Sequence, residues 1–139
     1  MEKKQLCIYA IKAVKDLNEA YKNGKMGTFL EEKAWREGRE HFKDARNEDT
    51  YLPIIFADAG SIWELLYWAK LTNVEILPNI NKQSKSKSMT RYSFKDMQRY
   101  PKRKTPYSMT ELIVNSTGKP ISEGFIRSYS ICVRPQYLK

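Results

Sequence analysis

The chain has 139 residues, room for one domain of ordinary size, and its 41% hydrophobic and 12% aromatic content is enough apolar surface to exclude wholesale disorder. Unbroken apolar runs such as Leu65-Leu66-Tyr67-Trp68-Ala69 fall far short of the ~18 residues that span a bilayer, so no membrane partner is expected. Lys and Arg number 25 against 16 Asp and Glu, a net charge of +9 that favours polyanionic partners.

The first residues, Met1 to Ile8, lack the apolar stretch and small-residue cleavage site of an export signal. Cys7 and Cys132 lie in apolar settings near opposite ends, as buried thiols of a reducing compartment do, and the chain reads as cytoplasmic. One histidine, His41, and two distant cysteines cannot supply zinc-ligand spacing, so neither a metal nor a cofactor is expected.

Residues 1–50 read as mainly helical. Leu6 and Ile8 alternate with their neighbours in a possible short strand. From Ala10, the positions Ile11, Val14, Leu17 and Tyr21 recur at helical spacing, with Asn23-Gly24 as the stop. Thr28, followed three residues later by Glu31, has the pattern of a capping box and predicts a second helix carrying Leu30, Ala34 and Phe42. The charged residues of that segment, from Glu31 to Lys43, suit a solvated face with i,i+4 pairs.

The periodicity changes after the turn at Asn47-Glu48-Asp49-Thr50. Tyr51-Leu52-Pro53-Ile54-Ile55-Phe56-Ala57 predicts a buried strand with proline at its start, and Asp58-Ala59-Gly60-Ser61 a turn. Residues 63–76 fit helix or strand; aromatic content favours a long strand with a bulge near Thr72-Asn73. Residues 79–88 have loop composition. Thr90 to Phe94 alternates, Ser93 is placed to cap a helical turn over residues 95–99, and Pro101 ends it. Glu111-Leu112-Ile113-Val114-Asn115 and residues 125–133 predict two more strands around a turn at residues 116–120. The expected fold is α+β, a single domain over 1–139 in which N-terminal helices precede a small twisted β-barrel over 51–139.

Charge is concentrated in one stretch. Between Asn79 and Pro106 nine cations face Asp96 alone, a local excess of +8, and Tyr92, Phe94, Tyr100 and Tyr107 are interleaved with them. Basic residues mixed with rings suit a groove that tracks a nucleic-acid backbone and offers stacking faces, although a solvated loop has similar composition. Trp35, Trp63, Trp68, Tyr67 and Phe56 form a second dense set, able to fill a core or to wall a slot for a flat base.

Catalytic chemistry has few candidates. His41 lies in a charged helix, where an exposed or salt-bridged imidazole is expected. Asp58, just beyond a buried strand, suits an acid–base group or a turn residue equally well by position. Ser116-Thr117-Gly118-Lys119 lacks the upstream glycine of a phosphate loop and is followed by proline, so it reads as a turn.

The string Phe125-Ile126-Arg127-Ser128-Tyr129-Ser130-Ile131-Cys132-Val133-Arg134-Pro135 resembles the closing strand of EVE domains in the PUA-like superfamily. Residues 52–57 resemble the barrel strand that opens with a proline-preceded apolar run, and residues 66–74 the strand that follows it in EVE and ASCH relatives. Thr90-Arg91-Tyr92-Ser93-Phe94-Lys95-Asp96-Met97 is similar to the next ASCH segment, so the resemblance covers about residues 51–138. It implies a β-barrel whose aromatic groove accepts a nucleobase, often a modified one, with RNA or DNA backbone on a basic rim. The Lys, Thr and Glu set of ASCH amidohydrolases has no match here, nor has the Trp-rich first strand of EVE domains. The combined reading is a non-enzymatic nucleic-acid-binding domain. Phe56, Trp63 and Trp68 stack the base, with Tyr92 beside them, while Arg91, Lys102, Arg103, Lys104 and Arg127 contact phosphates. A small enzyme acting on a nucleotide or nucleobase through Asp58, and a protein-interaction module, are the alternatives.

Overall fold

A computed structural model describes residues 5–83, 85–122, 127 and 129–138, and for residues 61–63 the backbone alone. In chain order come β1 (Leu6–Lys12), α1 (Val14–Lys22), β2 (Gly27–Glu31), α2 (Arg36–Asn47), β3 (Pro53–Asp58), β4 (Ser61–Pro78), β5 (Ser88–Arg99), a 3-10 turn at Met109–Glu111, and β6 (Tyr129–Val133). The class is α+β. All six strands join one mixed sheet in the order β2-β5-β4-β3-β1-β6, with β1 and β3 parallel and every other pair antiparallel. The sheet is not closed, so the strands do not form the hydrogen-bonded barrel expected from the sequence; β2 and β6 are its outermost strands, and residues 113–115 bond to the outer side of β6.

The central strands are apolar on both faces because both faces are covered. Ile8 and Ala10 of β1 and Ile54 and Phe56 of β3 point into one core, which α1 and α2 cover with Leu17, Ala20, Phe42 and Ala45. Cys7, Tyr9, Ile55 and Ala57 point into the other, beneath Tyr100, Met109, Leu112 and Ile121 of the long connection between β5 and β6. Each large side chain buried this way contributes about 1.5–3 kcal/mol. A parallel pair needs a long crossover, which α1, β2 and α2 supply.

The N-terminal half is therefore not mainly helical. Helix α1 begins at Val14 because residues 8–12 pair with β3. It stops at Asn23 as expected, where Gly24 (φ +94°) and Lys25 (φ +58°) take the left-handed region. Thr28 and Glu31 cap no helix. They lie in β2, where Phe29 packs on Phe56 and Phe94 while Leu30 faces out, and tertiary burial of that ring outweighs the local capping pattern. Helix α2 starts later, at Arg36.

Strand β3 runs from Pro53 as predicted, and β4 is one long strand with a register shift between Leu71 and Asn73, the site of the expected bulge. The helical turn expected at 95–99 is instead the end of β5: a second shift, between Trp68 and Lys70, leaves Asp96 at φ +53° and lets the strand bend and continue. Residues 111–115 form no full strand, only isolated bridges from Ile113 to Pro120 and from Val114 to Cys132. The strand predicted over 125–133 is observed from Tyr129, and residues 125, 126 and 128 lie outside the described residues.

Trp35, the residue before α2, holds the curled sheet together. Its indole lies between Tyr92 of β5 and Tyr129 of β6, with ring centroids 4.7 and 4.6 Å away, although three strands separate β5 from β6 in the sheet. Thr90, fully buried on β5, fixes the approach: its hydroxyl donates to the Lys33 carbonyl at 2.7 Å and accepts the Trp35 N–H at 2.8 Å. Helix α2 then approaches β1 closely at Gly38, where a Cβ would lie 3.1 Å from Ile8 Cδ1.

Candidate functional site

The basic residues of the β5–β6 connection meet the first helix in a cleft of about 360 Å³. Leu65, Leu66 and Tyr67 at the start of β4 form one wall, Val14 and Asn18 of α1 another, and Arg99, Lys102, Arg103 and Tyr107 the rim. The connection is pinned to β4 by backbone bonds from Leu65 N–H to the Tyr107 carbonyl (2.8 Å) and from Tyr100 N–H to the Leu66 carbonyl (2.9 Å). Exposed Glu64 supplies a carboxylate at the mouth.

Each cation at this cleft has a different standing. Arg99 lies over the rings of Tyr21 and Tyr67, at 4.8 and 5.9 Å, so its guanidinium is oriented by π faces. Arg103 lies flat on Tyr107 at 3.5 Å and is held in plane by both Glu111 carboxylate oxygens (2.6 Å each) and the Thr105 carbonyl (2.6 Å). Burial alone would raise the Glu111 pKa; Arg103 and the Ser108 N–H outweigh it and hold this carboxyl below its ordinary value. Arg103 is thus largely neutralised, and its side chain, 38% exposed, offers a planar face more than a net charge. Lys102 is exposed and forms no ion pair among the described residues. Tyr67 donates to Asn18 Oδ1 at 2.5 Å, which leaves the Asn18 amide nitrogen as a fixed donor.

The structure gathers only part of the predicted set here. Lys102 and Arg103 line the cleft, and exposed Lys104 lies beside them in the chain without lining it. Phe56 and Tyr92 do not wall a slot: both are 0% exposed, Phe56 packed on Phe29 and Phe94 and Tyr92 on Trp35. A fully covered ring has no face left for a base, because sheet-face burial and slot lining call for the same residues. Trp68 is half-buried on the opposite face of β4, edge-on to Tyr100, in a separate cavity of about 410 Å³ with Tyr51, Lys70 and Gln98. The side chain of Trp63 lies outside the described residues. Arg91 is paired with Glu75 at 2.8 Å on the exposed face of the hairpin, and Arg127 lines a separate cavity with Lys33 and Arg36. Asp58 accepts the Gly60 N–H at 3.0 Å and closes the β3–β4 turn, away from the cleft lining.

Arg99, Asn18, Glu64 and Tyr107 are the cleft residues that sequence reasoning did not select. Tyr107 and Arg99 stood in the basic aromatic stretch, while Asn18 has the look of an ordinary solvated helix position and gives no signal. Among the described residues no helix is long and apolar enough to cross a membrane. No family model matches the chain, and no curated protein matches it.

Proposed function

We propose that the protein binds a nucleotide or an unpaired nucleic-acid segment at this cleft, without chemistry of its own. The observation that carries the reading is the convergence of Arg99, Lys102 and Arg103 with the Asn18 amide around one concavity of small-ligand size. Lys102 and Arg99 contribute charge to a phosphate, and a guanidinium already stacked on tyrosine offers its outer face to a base. Asn18 Nδ2 donates to a base carbonyl, and the Glu64 carboxylate accepts from an exocyclic amine.

The resemblance to PUA-like domains supports the same reading, with one change: the stacking surfaces proposed are Arg103 on Tyr107 and Arg99 on Tyr21 and Tyr67, in place of Phe56, Trp63, Trp68 and Tyr92. Support for a barrel-related architecture comes from the curling that lets Trp35 touch both β5 and β6. A cytoplasmic setting is proposed on the free, buried thiols of Cys7 and Cys132.

Titration of labelled mononucleotides and short single-stranded oligonucleotides at two salt concentrations tests the reading. Arg99→Gln with Lys102→Gln is expected to weaken binding about tenfold and to flatten the salt dependence. Unchanged affinity in that variant overturns it.

A further inference from the structure

At the other end of the β4–β5 hairpin lies a second cationic concavity that the cleft does not include. One cavity of about 450 Å³ is lined by Lys33, Arg36, His41 and Arg127. Another, of about 470 Å³, is lined by Lys33, Asn81, Gln83 and Lys85. Lys33 belongs to both, so the two adjoin at its side chain, between the hairpin loop and the start of α2, and together they make up a groove. We propose that this groove carries the sugar–phosphate backbone of a single-stranded nucleic acid, as a track separate from the cleft. The inference rests on the nucleic-acid reading above and extends it.

Three observations support it. Lys33, Arg36 and Lys85 are exposed and form no ion pair among the described residues, against Glu32 and Glu37 as the acids lining the groove. Arg36 opens α2, where a cation opposes the helix dipole, so helix stability does not account for it. The groove floor is rigid: the backbone between Lys33 and Trp35 is tied to buried Thr90 by two hydrogen bonds, and Trp35 is clamped between two tyrosines. Cations that line two adjoining concavities suit one strand; a lipid surface would need them on a projecting face.

Residues 90–99 of β5 span at most roughly 30 Å between groove and cleft, and the two share no lining residue, so each can be tested alone. The probes are deoxycytidine monophosphate, whose base carries both a carbonyl and an exocyclic amine, and a labelled oligodeoxycytidylate of about 16 nucleotides. Because Lys33, Arg36 and Lys85 are exposed, Lys33→Glu, Arg36→Glu and Lys85→Glu together should fold, and the corresponding Gln variant guards against a charge-driven rearrangement. Expected is a tenfold or greater loss of oligonucleotide affinity in both variants, a salt slope smaller by about 2 for three lost phosphate contacts, and unchanged monophosphate binding. If oligonucleotide affinity and slope are unchanged in both variants, or if wild type binds the oligonucleotide no more tightly than the monophosphate, the groove proposal is overturned while the cleft reading stands. If the groove variants weaken the oligonucleotide and Arg99→Gln with Lys102→Gln weakens neither probe, the groove stands and the cleft reading falls. Wild type that binds neither probe but sediments with phosphatidylserine vesicles overturns the groove proposal in favour of a membrane surface.

Discussion

Trp35 lies nearly parallel to Tyr129, their ring planes 19° apart and their centroids at 4.6 Å, and this contact joins the start of α2 to the outermost strand β6. On its other face the same indole stacks on Tyr92 at 18°, so one side chain links β5 to β6 across the curled sheet. Trp35 is 0% exposed, and its truncation leaves a cavity that rigid strands cannot collapse. Trp35→Ala is expected to lower stability by about 3–5 kcal/mol, measured by urea unfolding, with Trp35→Phe losing less. A Trp35→Ala midpoint equal to wild type would remove the indole from this role.

The neighbour of that indole makes the opposite prediction. The Tyr92 hydroxyl is buried and has no hydrogen-bond partner among the described residues, and burial, followed by nearby Glu31, pushes its pKa well above the ordinary tyrosine value. An unsatisfied buried hydroxyl is a net loss on folding, so Tyr92→Phe keeps the stack and removes the penalty. The variant is expected to be more stable by about 1 kcal/mol in the same unfolding assay. A loss of that size would instead reveal a partner for the hydroxyl.

What the sequence made legible follows from which signals are local. Strand β3 and the bulge in β4 were readable because apolar runs, Pro53 and the phase change across Thr72-Asn73 record backbone geometry directly. Strand β2 was not, because Thr28 and Glu31 mimic a cap while the decisive contacts of Phe29, with Phe56 and Phe94, are distant in sequence. Ser93 hid the end of β5 in the same way, by mimicking a cap: only pairing with β4 turns residues 95–99 into a bulged strand. At the cleft, Lys102 and Arg103 were visible as charge in a polar stretch. Phe56 and Tyr92 were misassigned because a ring on a sheet covered on both faces and a ring in a binding slot have the same sequence signature.

The Arg103–Glu111 pair connects fold to function through the shape of the connection. Arg103 Nε bonds to Thr105 and its Nη2 to Glu111, whose Oε2 also accepts the Ser108 N–H at 2.7 Å in a capping box. Both partners are substantially exposed, so the contribution to global stability is small, but three successive parts of the connection are fixed at one point. Glu111→Ala is expected to leave thermal unfolding nearly unchanged while trypsin cleaves faster after Lys102 and Lys104, and ligand affinity at the cleft falls. Equal cleavage rates in variant and wild type would show that the backbone bonds from Leu65 and Tyr100 alone hold the connection in place.

The hydroxyls of Tyr100 and Tyr137 lie 2.6 Å apart beside Trp68, and this pair sets an alkaline limit on the fold. Burial is the main reason both resist ionisation; Tyr137 is pushed up to about 12 from its ordinary 10, and Tyr100 higher still. A raised folded-state pKa means that the native protein keeps protons that the unfolded chain releases above pH 10. The stabilisation is therefore complete below about pH 10 and is lost progressively as pH rises from 10 through 12, where Tyr137 ionises in the native state. Melting temperature is expected to fall across that window, with tyrosinate absorbance rising as the protein unfolds. In Tyr100→Phe, which keeps the buried ring and removes the ionisation that folding suppresses more, the decline should be shallower. An identical slope in the variant would assign the alkaline transition to other buried tyrosines, such as Tyr9 or Tyr92.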